Sequence, residues 1–227
     1  KYYINTKLLS LFKQISRPAR VSLIRRLVNK FTLLCFFSLF AISACSTPGS
    51  SNAENNQHFS FTETSIQDIH NAIKSNNSSC ESITKGFIAR INKYDLISSL
   101  NAIIYMNPRA IAKAKKLDEK YRETQSMQSL HCVPIILKDN FDTADMPTEA
   151  GSIALAGSFP PDDAYMVKKL RQADAIIIAK SNMGEWAFSP YNTISSSHGE
   201  TKNAYDLTRV PAGSSGGTAS AIAANFG

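Results

Sequence analysis

The chain has 227 residues, 43% of them apolar and 19% charged. That is globular composition, and it excludes a wholly disordered or fibrous chain. The net charge of +7 sits at one end: residues 1–45 carry 8 Lys/Arg and no Asp/Glu, while residues 46–227 carry 17 against 18. The body is therefore near neutral, and the electrostatic case for a nucleic-acid binder falls away.

The first 45 residues read as a leader. Phe31 to Ala44, FTLLCFFSLFAISA, is an apolar run of 14 residues, shorter than the roughly 20 needed to span a bilayer. It follows Arg25, Arg26 and Lys30 and ends in small residues, the order of a secretory signal. Ile42-Ser43-Ala44-Cys45 resembles a bacterial lipobox, in which Cys45 is lipidated and becomes the mature N-terminus. A plain signal peptide or a short membrane anchor is the blander reading. The expectation is an exported, lipid-anchored protein of a bacterial cell envelope, bound to the membrane through Cys45. Residues 1–20 are long for a signal's basic region, and a start at Val21 would give one of ordinary length. Lys1 and Gly227 both read as cut ends, so a fragment is expected.

Residues 46–62 are polar and aperiodic, as in a flexible tether. A domain is expected over 63–227. Thr64-Ser65 can cap a helix carrying Ile66, Ile69 and Ile73. Ser79 can cap a second, with Ile83, Phe87, Ile88 and Ile91. Leu100 to Met106 reads as a strand. Pro108 opens a third helix that runs to about Arg122. Cys132 to Leu137 is a buried-strand candidate. Asp162-Asp163 precede a helix with Met166, Val167 and Leu170. Ala175 to Ala179, AIIIA, is a second buried strand. Helices and strands alternate, so the class is α/β. Asn182 to Gly213 is loop-rich, the kind of segment that carries sites. Cys80 and Cys132 are the body's two cysteines. A disulfide and two buried thiols are both open. None of the four histidines pairs at ligand spacing, so no metal site is expected.

Two places carry chemistry. Lys138 ends the apolar run Val133 to Leu137, where a lysine is either an exposed strand tip or held in a half-buried site. Pro211-Ala212-Gly213-Ser214-Ser215-Gly216-Gly217 leads into small residues to Ala224. Such a run can be a linker, but here it precedes a tightly packed helix, whose free N–H groups face the loop.

Four blocks together resemble the amidase signature family of serine hydrolases: LHCVPIILKDNFDTADMPTEAGS, PPDDAYMVKKLRQADAIIIAKSNMGEWAFS, GETKNAYDLTRVPAGSSGG, and the small-residue helix after it. The resemblance runs from about Ile83 to Gly227. It implies a mixed β-sheet core covered by helices on both faces, incomplete in a fragment. It also implies a Ser-Ser-Lys triad, with Lys138 as base and Ser214 as the bridging serine, which sits at a cis peptide bond in the family. The nucleophilic serine lies about two dozen residues past the bridge, beyond Gly227, so this chain by itself is expected to be inactive. Ser215 is implied near the triad and Ser189 at the acyl pocket. Asn182 and Glu185 are implied as supports, and Trp186 as packing. Cys132 stands where the family usually has glycine. No cofactor is implied.

Lysine takes a proton only when neutral, so its pKa must fall by about 3 units, or about 4 kcal/mol, through burial and neighbouring donors. Asp139 and Asn140 read as structural; a salt bridge from Asp139 to Lys138 would count against the mechanism. The expected function is hydrolysis of a small-molecule carboxamide through an acyl-enzyme. The alternatives are the amidase-type component of a glutamine-dependent aminoacyl-tRNA amidotransferase and an inactive truncated remnant.

Overall fold

The computed structural model describes residues 59–227 apart from Leu96. The leader, Cys45 and most of the expected tether lie outside the described residues. Within the tether's last four positions, Phe59 and Phe61 pack against the core, while Ser60 and Thr62 are exposed. Phe61 lies edge-on to Phe87, 5.2 Å between centroids, and its ring covers Gly86, where a side chain would collide with it.

Helix α1 spans Ile66–Lys74 and α2 spans Cys80–Tyr94. Both begin where local chemistry says they should. Ser65 and Asp68 form a reciprocal capping box, and the Ser79 side chain accepts from Ser82 N. Strand β1 is Ile103–Met106, shorter than the expected 100–106. The buried Asp95 carboxylate accepts from Ala102 N and Ile103 N, which holds the entry as a turn. Helix α3 spans Ala110–Thr124. Pro108 lies just before it, because Asn107 Oδ1 accepts from Arg109 N and closes a turn there.

Strand β2 is Pro134–Lys138. It begins two residues later than expected because Cys132 has φ +64, a left-handed conformation no strand residue adopts. Helix α4 spans Tyr165–Gln172, and β3 spans Ile176–Ser181. The sheet order is β1-β3-β2, with β1 antiparallel and β2 parallel to the central strand. A short β4–β5 pair (Ile194–Ser195, Gly199–Glu200) interrupts the long loop. Helix α5 spans Gly216–Ala223.

Alternate residues of the sheet feed two apolar layers. Ile136, Ile176 and Ile178 join Ile83, Phe87 and Ile91 of α2, Ala114 and Leu117 of α3, and Ala221 of α5. Leu137 and Ile177 face the other way, onto Val167 of α4 and Met146. Each of the Ile, Leu, Val, Phe and Met side chains contributes about 1.5–3 kcal/mol on full burial. The class is mixed α/β with helices on both faces, as expected.

The two open cysteines are resolved as a disulfide, Cys80–Cys132, with Cα atoms 5.1 Å apart. It ties the first residue of α2 to the approach to β2.

Candidate active site

Lys138 is the last residue of β2 and Ser214 lies two residues before α5. The fold brings these two together although 76 residues separate them. Lys138 Nζ donates to Ser214 Oγ at 2.7 Å. The Gly213–Ser214 peptide is cis, the isomer the resemblance implies. Burial holds the Lys138 ammonium below its ordinary pKa.

Asp139 is elsewhere engaged. Its side chain points to the opposite face, 3.5 Å from Lys180 Nζ, with both side chains fully buried. Asp139 Oδ2 accepts from Glu149 N and Gly151 N, pinning the loop beside the site. Lys180 Nζ also donates to Pro147 O and Thr148 Oγ1. Burial pushes the Asp139 carboxyl up and the Lys180 ammonium down, and each draws the other back towards charge. Among the described residues no carboxylate forms an ion pair with Lys138. The condition that would have counted against a neutral lysine is thus not met.

The loop bearing Ser214 is clamped from three sides. Gly184 N donates to Ser214 O at 2.9 Å, and Gly213 N donates to Pro190 O at 3.0 Å. Thr193 Oγ1 donates to Ala212 O and accepts from Gly216 N, capping α5 where its own N-cap residue, Ser215, makes no side-chain bond. Ser181 Oγ and Thr218 Oγ1, 2.7 Å apart, join the end of β3 to the first turn of α5. Gly217 lies so close to the Asn182 backbone that no Cβ would fit. This close approach, rather than linker flexibility, is what the glycine provides.

The other expected residues fall into two groups. Asn182 is fully buried and donates to Gly199 O and Thr201 Oγ1, and Glu185 accepts from Ser196 N, so both support the loop. Ser189 is half-buried. Its Oγ donates to Asn192 Oδ1 at 2.8 Å and accepts from Tyr191 N and Asn192 N, and its carbonyl presses on Gly213. Ser215 is exposed, as is Asn140. Trp186 is not packed: it is 55% exposed, with φ +53, in a loop that also exposes Phe188 and Tyr191. Sequence reasoning missed Thr193 and Lys180, because each acts through a contact remote in sequence.

A second group of reactive side chains gathers away from this site. Cys80, His131 and Cys132 place their donor atoms within 4.8 Å of one another, all buried. Spacing in sequence does not show this cluster, because Cys80 comes from a different element.

Comparison with known proteins follows the same residues. The family model described as Amidase matches residues 82–227. The A-type component of the glutamyl-tRNA(Gln) amidotransferase of Alkaliphilus metalliredigens is 41% identical over 165 residues, covering 72% of this chain and 33% of that protein. Among solved structures, the native peptide amidase from Stenotrophomonas maltophilia superposes with a TM-score of 0.69 at 38% identity, covering 74% of this chain and 35% of that one. An amidase family protein from Bacillus anthracis gives a TM-score of 0.68 at 31% identity, covering 75% and 35% respectively. The chain spans about a third of the length of these relatives.

Proposed function

The chain belongs to the amidase family, and from that premise we propose that it carries the base and the bridging serine of an amide hydrolase. The observation that supports this most directly is the 2.7 Å contact between Lys138 Nζ and Ser214 Oγ, at a lysine held low by burial. In the proposed reaction a serine from a GGS block beyond Gly227 attacks the carboxamide carbon. Its proton passes to Ser214 Oγ as the Ser214 proton passes to neutral Lys138. The tetrahedral adduct then collapses. The C–N bond breaks, and the proton held on Lys138 returns through Ser214 to the departing amine. Water hydrolyses the ester by the same route, releasing the acid.

The substrate is a small-molecule amide, and Ser189 and Ser215 are proposed to line its site. The test uses the full gene product, translated through the reading frame after Gly227. Ammonia or amine release from primary and peptide amides is measured for the wild type, Lys138→Ala and Ser214→Ala. Losses of about 10²–10⁴-fold are expected, the usual worth of a positioned acid–base group. Variants within tenfold of the wild type would overturn the assignment.

A second reading is favoured by the curated relatives named as amidotransferase components. The same lysine and serine would then release ammonia from glutamine. The near-neutral body and the leader support the first reading, in which no nucleic acid is bound. Strict dependence of turnover on partner proteins and glutamine would decide for the second.

Export and lipidation at Cys45 are part of the same proposal. The leader's pattern supports them, as does a disulfide in the body, since such bonds persist in oxidising compartments. Wild type in the membrane fraction with Cys45→Ala in the soluble fraction is the expected result. Equal partitioning would refute it.

A further inference from the structure

We propose that Cys80, Cys132 and His131 form a binding site for a thiophilic d¹⁰ cation of the Zn²⁺ type whenever the cysteine pair is reduced. The disulfide and the metal are then alternative staples for one joint, between the start of α2 and the approach to β2. The inference is independent of the amidase chemistry, which uses none of these residues.

Two observations carry it. The three donor atoms lie within 4.8 Å of one another, and all three residues are 0% exposed. Thiolate sulfur and imidazole nitrogen are the donors that zinc takes, and three of them with a water complete a tetrahedral set. Second, His131 is already oriented as a ligand. Its Nδ1 lies 3.2 Å from Asp174 Oδ2, and Lys120 Nζ donates to the same oxygen at 2.7 Å. A carboxylate on one ring nitrogen is how metal-bound histidines are commonly aimed. It leaves Nε2 facing Cys80 Sγ at 3.7 Å. Zn–S and Zn–N bonds of about 2.3 and 2.05 Å at a tetrahedral angle put sulfur and nitrogen about 3.6 Å apart. Nitrogen and sulfur thus already stand at the separation of two ligands of one ion.

In the reduced state the two sulfurs separate by rotation about χ1, and each thiol releases its proton to solvent as its bond to the cation forms. The protein supplies three ligands. The fourth tetrahedral position is taken by a water entering with the ion. A chain exported to an oxidising compartment would carry the disulfide, and a chain still in a reducing cytosol would carry the metal.

The test uses the full chain in detergent. One sample is reduced with a phosphine, which takes the disulfide to two thiols and is itself oxidised to the phosphine oxide. The other is left oxidised. Both are exposed to Zn²⁺ and desalted, and bound zinc is counted. Co²⁺ replaces Zn²⁺ in a parallel titration read by the thiolate-to-cobalt charge-transfer band in the near ultraviolet. One ion per reduced chain, none per oxidised chain, and a two-sulfur band are expected. Cys80→Ser and Cys132→Ser each remove retention, and Asp174→Asn weakens it by about 10–100-fold. Because a cysteine variant can fail to fold, a measurement on the wild type stands beside them: Zn²⁺ slows closure of the dithiol by glutathione disulfide at least tenfold. Folded, reduced wild type that binds no more metal than the oxidised form overturns the proposal. So does unchanged binding by either cysteine variant, or closure by glutathione disulfide unaffected by Zn²⁺.

Discussion

Replacing Gly217 by alanine separates two arguments that predict opposite signs. Gly217 lies in the first turn of α5. Helix propensity alone predicts that alanine stabilises by about 1 kcal/mol. The packing predicts the reverse. An added Cβ would stand 2.7 Å from Asn182 N and 2.8 Å from Asn182 C, and nearer still to the Asn182 carbonyl oxygen, where 3.4–4 Å is ordinary contact. Asn182 cannot yield easily. Its N donates to Ala102 O, its side chain donates to Gly199 O and Thr201 Oγ1, and it is fully buried. The start of α5 must therefore move away by about 1 Å to restore normal separations. Overpacking of this kind costs about 1–3 kcal/mol. Ser214 moves with the helix start, so its 2.7 Å contact with Lys138 opens past the hydrogen-bonding range. A misplacement of about 1 Å can cost about 10²-fold in turnover. Urea unfolding gives the stability change, and amide hydrolysis by the full gene product gives the second. A raised midpoint, or turnover within threefold of the wild type, would refute the view that backbone contact at Gly217 sets the serine's position.

Two further outcomes follow from the pair of lysines. Lys180→Ala leaves the Asp139 carboxylate buried without its countercharge and is expected to cost about 3–5 kcal/mol in urea unfolding. Lys180→Met with Asp139→Asn recovers part of that loss, and a double variant no better than the single one would show that the ion pair is not the reason. For Lys138 the prediction concerns pH. kcat/KM rises with pH as the base loses its proton, and the rise is complete below the pH range of an exposed lysine, because burial holds the folded pKa down. By the same linkage the unfolded chain holds this proton more tightly, so Lys138 costs stability at neutral pH and the cost fades as pH rises from the folded towards the unfolded pKa. Lys138→Met should therefore unfold at higher urea at pH 7 while losing activity, and a lower midpoint would contradict this.

What could be read from the chain depended on how far each interaction reaches. Ser65 and Ser79 were legible as caps because their partners, Asp68 and Ser82, lie three residues on. The buried strands were legible from their apolar runs, but their ends were not. Cys132 breaks β2 through a backbone angle, and Asp95 shortens the lead-in to β1 through a turn. The caps supplied from a distance left no local pattern. Asp118 of α3 accepts from Cys80 N and Glu81 N at the start of α2, and Thr193 does the same for Gly216. Lys138 and Ser214 were found only because two motifs resemble one family's pair. Nothing in their spacing of 76 residues requires contact.

The division of labour between the two lysines rests on strand parity. Lys138 pairs in register with Ser181, whose hydroxyl meets Thr218 of α5, so both side chains face that helix. Leu137 pairs with Lys180, and Leu137, Asp139 and Lys180 face the opposite layer. Alternation along β2 thus keeps the carboxylate next in sequence on the face away from the proposed base. The register shift between Ile135 and Ile136 passes over Ile178 of β3 and sets the face on which Lys180 lies. Without that extra residue, every side chain of β3 beyond it would change face. Lys180 would then point towards α5, and Asp139 would be left buried without its countercharge. An apolar run such as AIIIA carries no mark of where its bulge falls. Burial lowers the Lys138 pKa, β2 alternation keeps Asp139 on the other face, and the residue skipped on β3 brings Lys180 to that same face as its countercharge.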